Sequence, residues 1–277
     1  MKEIKTHTLE DLNRGQCQFT DYGLMCENLK LLKEQDVYIL HIGASIIEDK
    51  RLLIPIEHNR KLGLINHFAQ VVVQPLYDDI NVYDLNNCST EDDLLRVTKK
   101  CNIVDYENMC TYEDMEAIGV INARGIQVLP IMYRYISIND TKNIFTVQRL
   151  KPYYGYGVRG LYNKEIIPFG KFYDISHFVK GFARAKNSKG WVIIDIQGNE
   201  IIEGGIFSNI WAPDSQYNSI VVEKSSTRYT LSYEDLEELR QELLANGCIT
   251  TSPDSLLSYQ THIQGDFPLI GETIFTI

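Results

Sequence analysis

Lys61-Leu-Gly-Leu-Ile-Asn66, a turn, Val71-Val-Val-Gln-Pro75 and Leu76-Tyr-Asp-Asp-Ile80 form the stretch on which the fold is decided. The same order returns at Ala117-Ile-Gly-Val-Ile-Asn122, Ile126-Gln-Val-Leu-Pro130 and Met132-Tyr-Arg-Tyr-Ile136. A third copy runs Tyr156-Gly-Val-Arg-Gly160, Glu165-Ile-Ile-Pro168 and Phe172-Tyr-Asp-Ile175, and a fourth runs Trp191-Val-Ile-Ile-Asp195, Glu200-Ile-Ile-Glu203 and Phe207-Ser-Asn-Ile210. The registers agree: Asn66 to Ile80 and Asn122 to Ile136 are 14 residues, Gly160 to Ile175 and Asp195 to Ile210 are 15. Self-similarity at a fixed period marks an architecture of stacked repeats.

Each repeat has a third apolar or alternating run of strand character, at Leu94–Thr98, Ile144–Val147, Gly181–Ala185 and Ser219–Val222. Polar turns such as Lys186-Asn-Ser-Lys-Gly190 and Glu223-Lys-Ser-Ser-Thr227 then lead into the next first strand. The repeat is therefore about three short antiparallel strands, and one copy cannot bury its apolar face without a neighbour. At Leu94–Thr98 the repeat register competes with a capping-box pattern, Ser89 and Asp92, that would make Glu91–Lys100 a helix; the register favours a strand. Residues 101–116 then read as an insertion.

Working outward, Arg51–Ile56 fits a strand feeding the first repeat, and Gly23-Leu-Met-Cys26 would begin a decayed earlier copy. Downstream, Arg228–Leu231 fits a last first strand. Ser232–Gly247 reads as a helix capped by Ser232, with Tyr233, Leu236, Leu239 and Leu243 as its apolar stripe and Gly247 at its exit. Such a helix could hide the open edge of the array or form the core of a small separate domain. The expected organisation is an N-terminal region 1–50, a β-repeat array 51–232, and a helix-and-strand cap 232–277 ending in a strand at Thr273–Ile277. The fold class is all-β: tandem three-strand repeats stacked as a solenoid or an open propeller, with a C-terminal amphipathic helix.

The repeat resembles the bacterial WG repeat family, whose pattern is Trp-Gly, a strand, a turn, a Pro-ended strand and Tyr-Asp-Asp. Gly63, Gly119 and Gly157 occupy the glycine column, Pro75, Pro130 and Pro168 end second strands, and Tyr77-Asp78-Asp79 matches most fully. The Trp column departs, holding Leu62, Ile118 and Tyr156, while Trp191 follows Gly190. The resemblance implies a β-rich interaction or scaffolding element and brings no catalytic residues.

The remaining chemistry is sparse. Gly155-Tyr-Gly-Val-Arg-Gly160 matches a dinucleotide fingerprint, but strand, turn and strand follow it instead of the required helix. The histidines form neither HxH nor HExxH, the six cysteines form no CxxC, and no GxSxG is present. No catalytic residue, metal or cofactor is therefore expected. Nor is a signal peptide or an 18-residue apolar run found, which points to unpaired thiols in a reducing cytoplasm.

Charge is more informative. Against 37 acids and 27 bases overall, a formal charge of −10, residues 142–190 hold ten bases and two acids. Residues 81–116 are net −6 and 231–277 net −7. Aromatics interleave with the central bases, so the expected partner-binding residues are Lys151, Tyr153, Tyr154, Arg159, Lys164, Lys171, Lys180 and Arg184. The leading expectation is a non-enzymatic scaffold binding another protein through its stacked face, of which a toxin-neutralising or immunity factor is one form. Two alternatives remain open. One is a glycan-directed enzyme or binding module using aromatics and carboxylates such as Asp78 and Asp174. The other is a nucleic-acid binder using the 142–190 stripe, which the net acidity opposes. Nothing in the sequence fixes an oligomeric state.

Overall fold

The computed structural model describes residues 3–8, 21–40, 53–105, 109–139, 142–150, 155–214 and 216–259. The final strand expected at Thr273–Ile277 lies outside them, as do Lys151, Tyr153 and Tyr154. The chain divides within the repeat array into two compact units, Met1–Glu165 and Ile166–Ile277. Both are built from antiparallel sheets. No helix among the described residues is long and apolar enough to cross a membrane.

The N-terminal unit opens with helix α1 (Asp21–Glu34). Gly23–Cys26 lies inside it, so the strand expected there does not form. Leu24, Asn28 and Leu32 recur every fourth residue and are all buried, a helical period whose apolar pattern the polar Asn28 interrupts. Next come β1 (Tyr38–Ile39), β2 (Ile54–His58), β3 (Lys61–Ile65) and β4 (Val71–Tyr77), paired in that order as one sheet. The β2–β3 connection is a two-residue turn with Asn59 at φ 53° and Arg60 at φ 60°, the left-handed pair that matches strand twist.

A second sheet runs through β5 (Asp79–Ile80), β6 (Leu94–Asp105), β7 (Cys110–Asn122), β8 (Gln127–Ile138), β9 (Ile144–Arg149) and β10 (Tyr156–Gly160), with the short helix α2 (Val82–Asn86) between β5 and β6. Leu94–Thr98 is strand, as the register required. Asp93, one residue beyond the box position, takes the amides of Ser89 and Thr90 at 2.8 Å, leaving Asp92 to pair with Arg124. Over residues 101–116 strands β6 and β7 continue past their neighbours as a ribbon, paired from Lys99 with Ala117 to Asp105 with Cys110.

β11 (Glu165–Phe172) straddles the division between the units. The C-terminal unit then holds two four-stranded sheets. One is β12 (Asp174–Ile175), β13 (Phe182–Asn187), β14 (Gly190–Asp195) and β15 (Glu200–Ile202). The other is β16 (Asn209–Ile210), β17 (Ser219–Lys224), β18 (Thr227–Ser232) and β19 (Ser258–Tyr259). Helix α3 (Tyr233–Asn246) follows β18. A complete capping box of Ser232 with Asp235 starts it, and Gly247 at φ 72° ends it. Tyr233, Leu236 and Leu239 are buried, in one cluster with Ile202, Ile220, Val222 and Leu231. Burying such side chains is the main stabilising term here, at roughly 1.5–3 kcal/mol for a large apolar one.

The sheets and the sequence repeats are out of phase. Tyr77-Asp78-Asp79 ends one repeat, yet Tyr77 closes the first sheet and Asp79 opens the second. Asp78, Tyr173 and Ser208 hand the chain over in the same way, donating amides to Thr98, Lys186 and Glu223 carbonyls at 2.7–2.9 Å. Three residues later Asn81, Ser176 and Trp211 donate to Arg96, Arg184 and Val221. The isoleucine column seats Ile80, Ile175 and Ile210 in the core, each under 4% exposed. In the second repeat Tyr133 does not end the strand. A register shift between Tyr133 and Tyr135 lets β8 run on to pair with β9, which makes that sheet larger.

Candidate interaction face

The repeat columns that looked chemical are structural. Asp78 accepts the Lys61 ammonium at 2.5 Å and the Lys100 amide at 2.9 Å, which hold its carboxyl below the usual range with Lys61 as the main cause. Asp174 lies in β12 with Arg184 at 3.5 Å. Both carboxylates suggested for glycan chemistry are thus engaged by cations. The Asn66, Asn122 and Asp195 side chains each accept two backbone amides across the first hairpin: Phe68 and Gln70, Arg124 and Ile126, Gln197 and Asn199. A turn residue that caps its own loop is the ordinary use of Asn and Asp. Among the described residues no three His, Cys, Asp or Glu side chains group as metal ligands.

The predicted binding residues separate into two sets. Arg159 is 6% exposed; it pairs with Glu165 at 2.9 Å and donates to the Val158 carbonyl. Arg184 is also largely enclosed. Its guanidinium stacks 4.3 Å from the Trp191 ring centre and donates to the Ile210 carbonyl at 3.2 Å. Burial lowers its pKa from the ordinary value, against the pull of Asp174. These arginines bind the protein to itself. Lys164, Lys171 and Lys180 are exposed. The Lys171 ammonium donates to the Gly198 carbonyl at 2.6 Å and lies 5.4 Å from the Phe172 ring centre. That of Lys180 reaches Asn218 and lies 5.2 Å from Tyr233.

Residues the expectation omitted complete the surface of the C-terminal unit. Asp174 pairs with Lys186, and Lys186 with Trp191, across β12, β13 and β14, so the three share one sheet face. Lys186 is exposed and sits 5.0 Å from the Trp191 ring centre, on the opposite edge of the register from the buried alternates Ala183 and Ala185. Arg228 stacks on Trp211 at 4.9 Å in the next sheet. Tyr173 is 66% exposed at the hand-over. The available signal was the hairpin spacing from Lys186 to Trp191, which places both on one face once the turn 188–189 is assigned. The arrangement is a cation–aromatic layer that keeps its positive charge at the surface.

A family model described as WG containing repeat matches residues 63–88 and 163–191. The first match runs from Gly63 through the Tyr-Asp-Asp hand-over, and the second ends at Trp191. No curated protein matches the chain.

Proposed function

We propose that this β-repeat protein is a non-enzymatic interaction element whose C-terminal unit binds an acidic protein partner in a reducing cytoplasm. The observation that carries the reading is the cation–aromatic layer of Lys186, Trp191 and Arg184, with exposed Lys171 and Lys180 on the same unit. Aromatic and arginine-rich patches are the usual anchors of protein interfaces, and exposed lysines steer an oppositely charged partner. The rigid arginines hold the sheets while the lysines meet the partner. Five described cysteines, Cys26, Cys88, Cys101, Cys110 and Cys248, are unpaired thiols, in keeping with a reducing compartment. Neutralising a toxin is one specific form of this role.

The test is capture from native extract with wild-type protein and with a Lys171→Glu, Lys186→Glu double variant. A single stoichiometric acidic protein retained by the wild type and lost from the variant supports the reading. Recovery of nucleic acid whose affinity falls steeply with salt overturns it in favour of a polyanion binder, and retention of glycan overturns it in favour of the carbohydrate reading. Capture of no macromolecule overturns it as well.

A further inference from the structure

A pocket of about 300 Å³ opens in the N-terminal unit between α2, the start of β6 and the β8–β9 turn. Two ion pairs line it, and each is oriented the same way. Arg96 donates through Nε and Nη2 to both oxygens of Asp84 at 2.8 Å, and its amide adds a third bond to Asp84 at 2.9 Å. Asp93 takes the Ser89 and Thr90 amides and the Ser89 hydroxyl on one oxygen and the Lys142 ammonium on the other. The carboxylates lie inward and the cations outward. Side-chain exposure is 8% for Asp84 against 31% for Arg96, and 10% for Asp93 against 57% for Lys142.

This asymmetry decides what the pocket can hold. Both carboxylates are already engaged at both oxygens, so they offer little to a cationic ligand. Arg96 retains its Nη1 donors and Lys142 two of its three, and nothing else among the described residues takes them. The Asn139 side chain fixes the turn that presents Lys142, by accepting the Ile144 amide at 3.2 Å. Leu94, Ser137 and Ile138 complete the lining. Tyr83, on the exposed side of α2, stands at the rim 73% exposed. A lining rich in spare donors beside an uncovered ring suits a ligand with an oxyanion head and a flat body.

We propose that this pocket binds a small oxyanion, a carboxylate or phosphate group held by Arg96 and Lys142, with an attached ring resting on Tyr83. The site is independent of the interaction face on the C-terminal unit. It is tested by amide chemical-shift titration of the whole chain with inorganic phosphate, acetate, phenyl phosphate and benzoate. Saturable shifts confined to residues around Asn87, Arg96 and Asn139 are expected, and whether phosphate or acetate binds tighter identifies the head group. Lys142→Met, which leaves Asp93 three donors and so keeps the turn, weakens every probe by about tenfold, the loss of one charge-assisted bond. Tyr83→Ala weakens only the two phenyl probes. Shifts that fail to saturate, or that persist at full strength in Lys142→Met, overturn the proposal.

Discussion

Replacing Gly63 by alanine tests the physical origin of the repeat's glycine column. β3 and β4 do not pair residue for residue: Leu62 faces Tyr77 and Leu64 faces Val73, so two steps along β3 meet four along β4. Gly63 lies against this bulge, and a Cβ there would stand 2.4 Å from the Val73 carbonyl oxygen, 2.7 Å from Pro75 N and 2.9 Å from the Gln74 carbonyl carbon. All three are backbone atoms, so no rotamer change relieves the overlap. Overpacking costs roughly 1–3 kcal/mol, and a clash that only backbone movement can relieve belongs at the upper end, about 3. Losing a glycine from the unfolded chain returns roughly 0.5–1 kcal/mol. The net destabilisation is about 2 kcal/mol, or a fall of about 4–8 °C in Tm for a unit this size. Gly170→Ala is the reference: nothing lies within 4 Å of its Cβ position, so its φ of 86° contributes only left-handed strain of about 1 kcal/mol. The assay is urea unfolding followed by far-UV circular dichroism. Both tryptophans, Trp191 and Trp211, belong to the C-terminal unit, so their fluorescence reports on Ile166–Ile277 and checks that the damage is local. A Gly63→Ala protein within about 0.5 kcal/mol of wild type, the scatter of neutral surface changes, would refute the close-approach argument.

Three further changes probe other parts of the chain. Asn122→Ala leaves the Arg124 and Ile126 amides without their acceptor at a 7%-exposed position, and is expected to cost about 1–3 kcal/mol in denaturant unfolding. Arg60→Gly removes a side chain from φ 60° in a two-residue hairpin and should stabilise the N-terminal unit by about 0.5–1 kcal/mol, read as a raised Tm. Glu242 accepts from Thr250 N, Thr250 Oγ1 and Thr251 N, bonds that hold its pKa near 2 against an ordinary 4.5. Its folded pKa lies below the unfolded value, so its contribution is complete above pH 4.5 and lost as pH falls towards 2. The protection factors of the Thr250 and Thr251 amides, exchange rates referred to the unprotected amide at the same pH, should fall over that window in the wild type and already be low at neutral pH in Glu242→Ala.

Periodicity carried most of the fold because each column does one backbone job in several copies, the isoleucine column in all four. Isoleucine at the end of each repeat is buried, aspartate or asparagine closes the first hairpin, and glycine meets a bulge; such constraints leave residue types that can be aligned by eye. Helix α3 was legible for the same reason, its cap, stripe and exit glycine all being local. Helix α1 was not, because its buried Asn28 interrupts the apolar pattern and serves a tertiary purpose: its side chain bonds the His7 amide and carbonyl and the Phe68 carbonyl, 21 and 40 residues away. The surface placement of the basic residues was half legible. Composition located the basic, aromatic segment, but charge alone does not distinguish Arg159, turned inward onto Glu165, from Lys186, left at the surface.

The phase shift between repeats and sheets explains why the repeat is read more easily than the sheet. A three-strand copy that closed on itself would leave an edge of unpaired backbone at each end, and a neighbour could dock on it only through side chains. Here the last two residues of one copy become the first strand of the next sheet, as Asp79–Ile80 do against Thr98 and Val97 and Asn209–Ile210 do against Glu223 and Val222. Backbone hydrogen bonds then join consecutive copies inside each unit, and the hand-over residue must give its amide to the incoming sheet while its predecessor still belongs to the old one. That double duty restricts the aromatic before it, Tyr77, Phe172 or Phe207, to a buried position at the seam. The Tyr-Asp-Asp signature is therefore the joint between modules, and its carboxylate, bonded to Lys61 from one sheet and to the Lys100 amide of the next, fastens that joint.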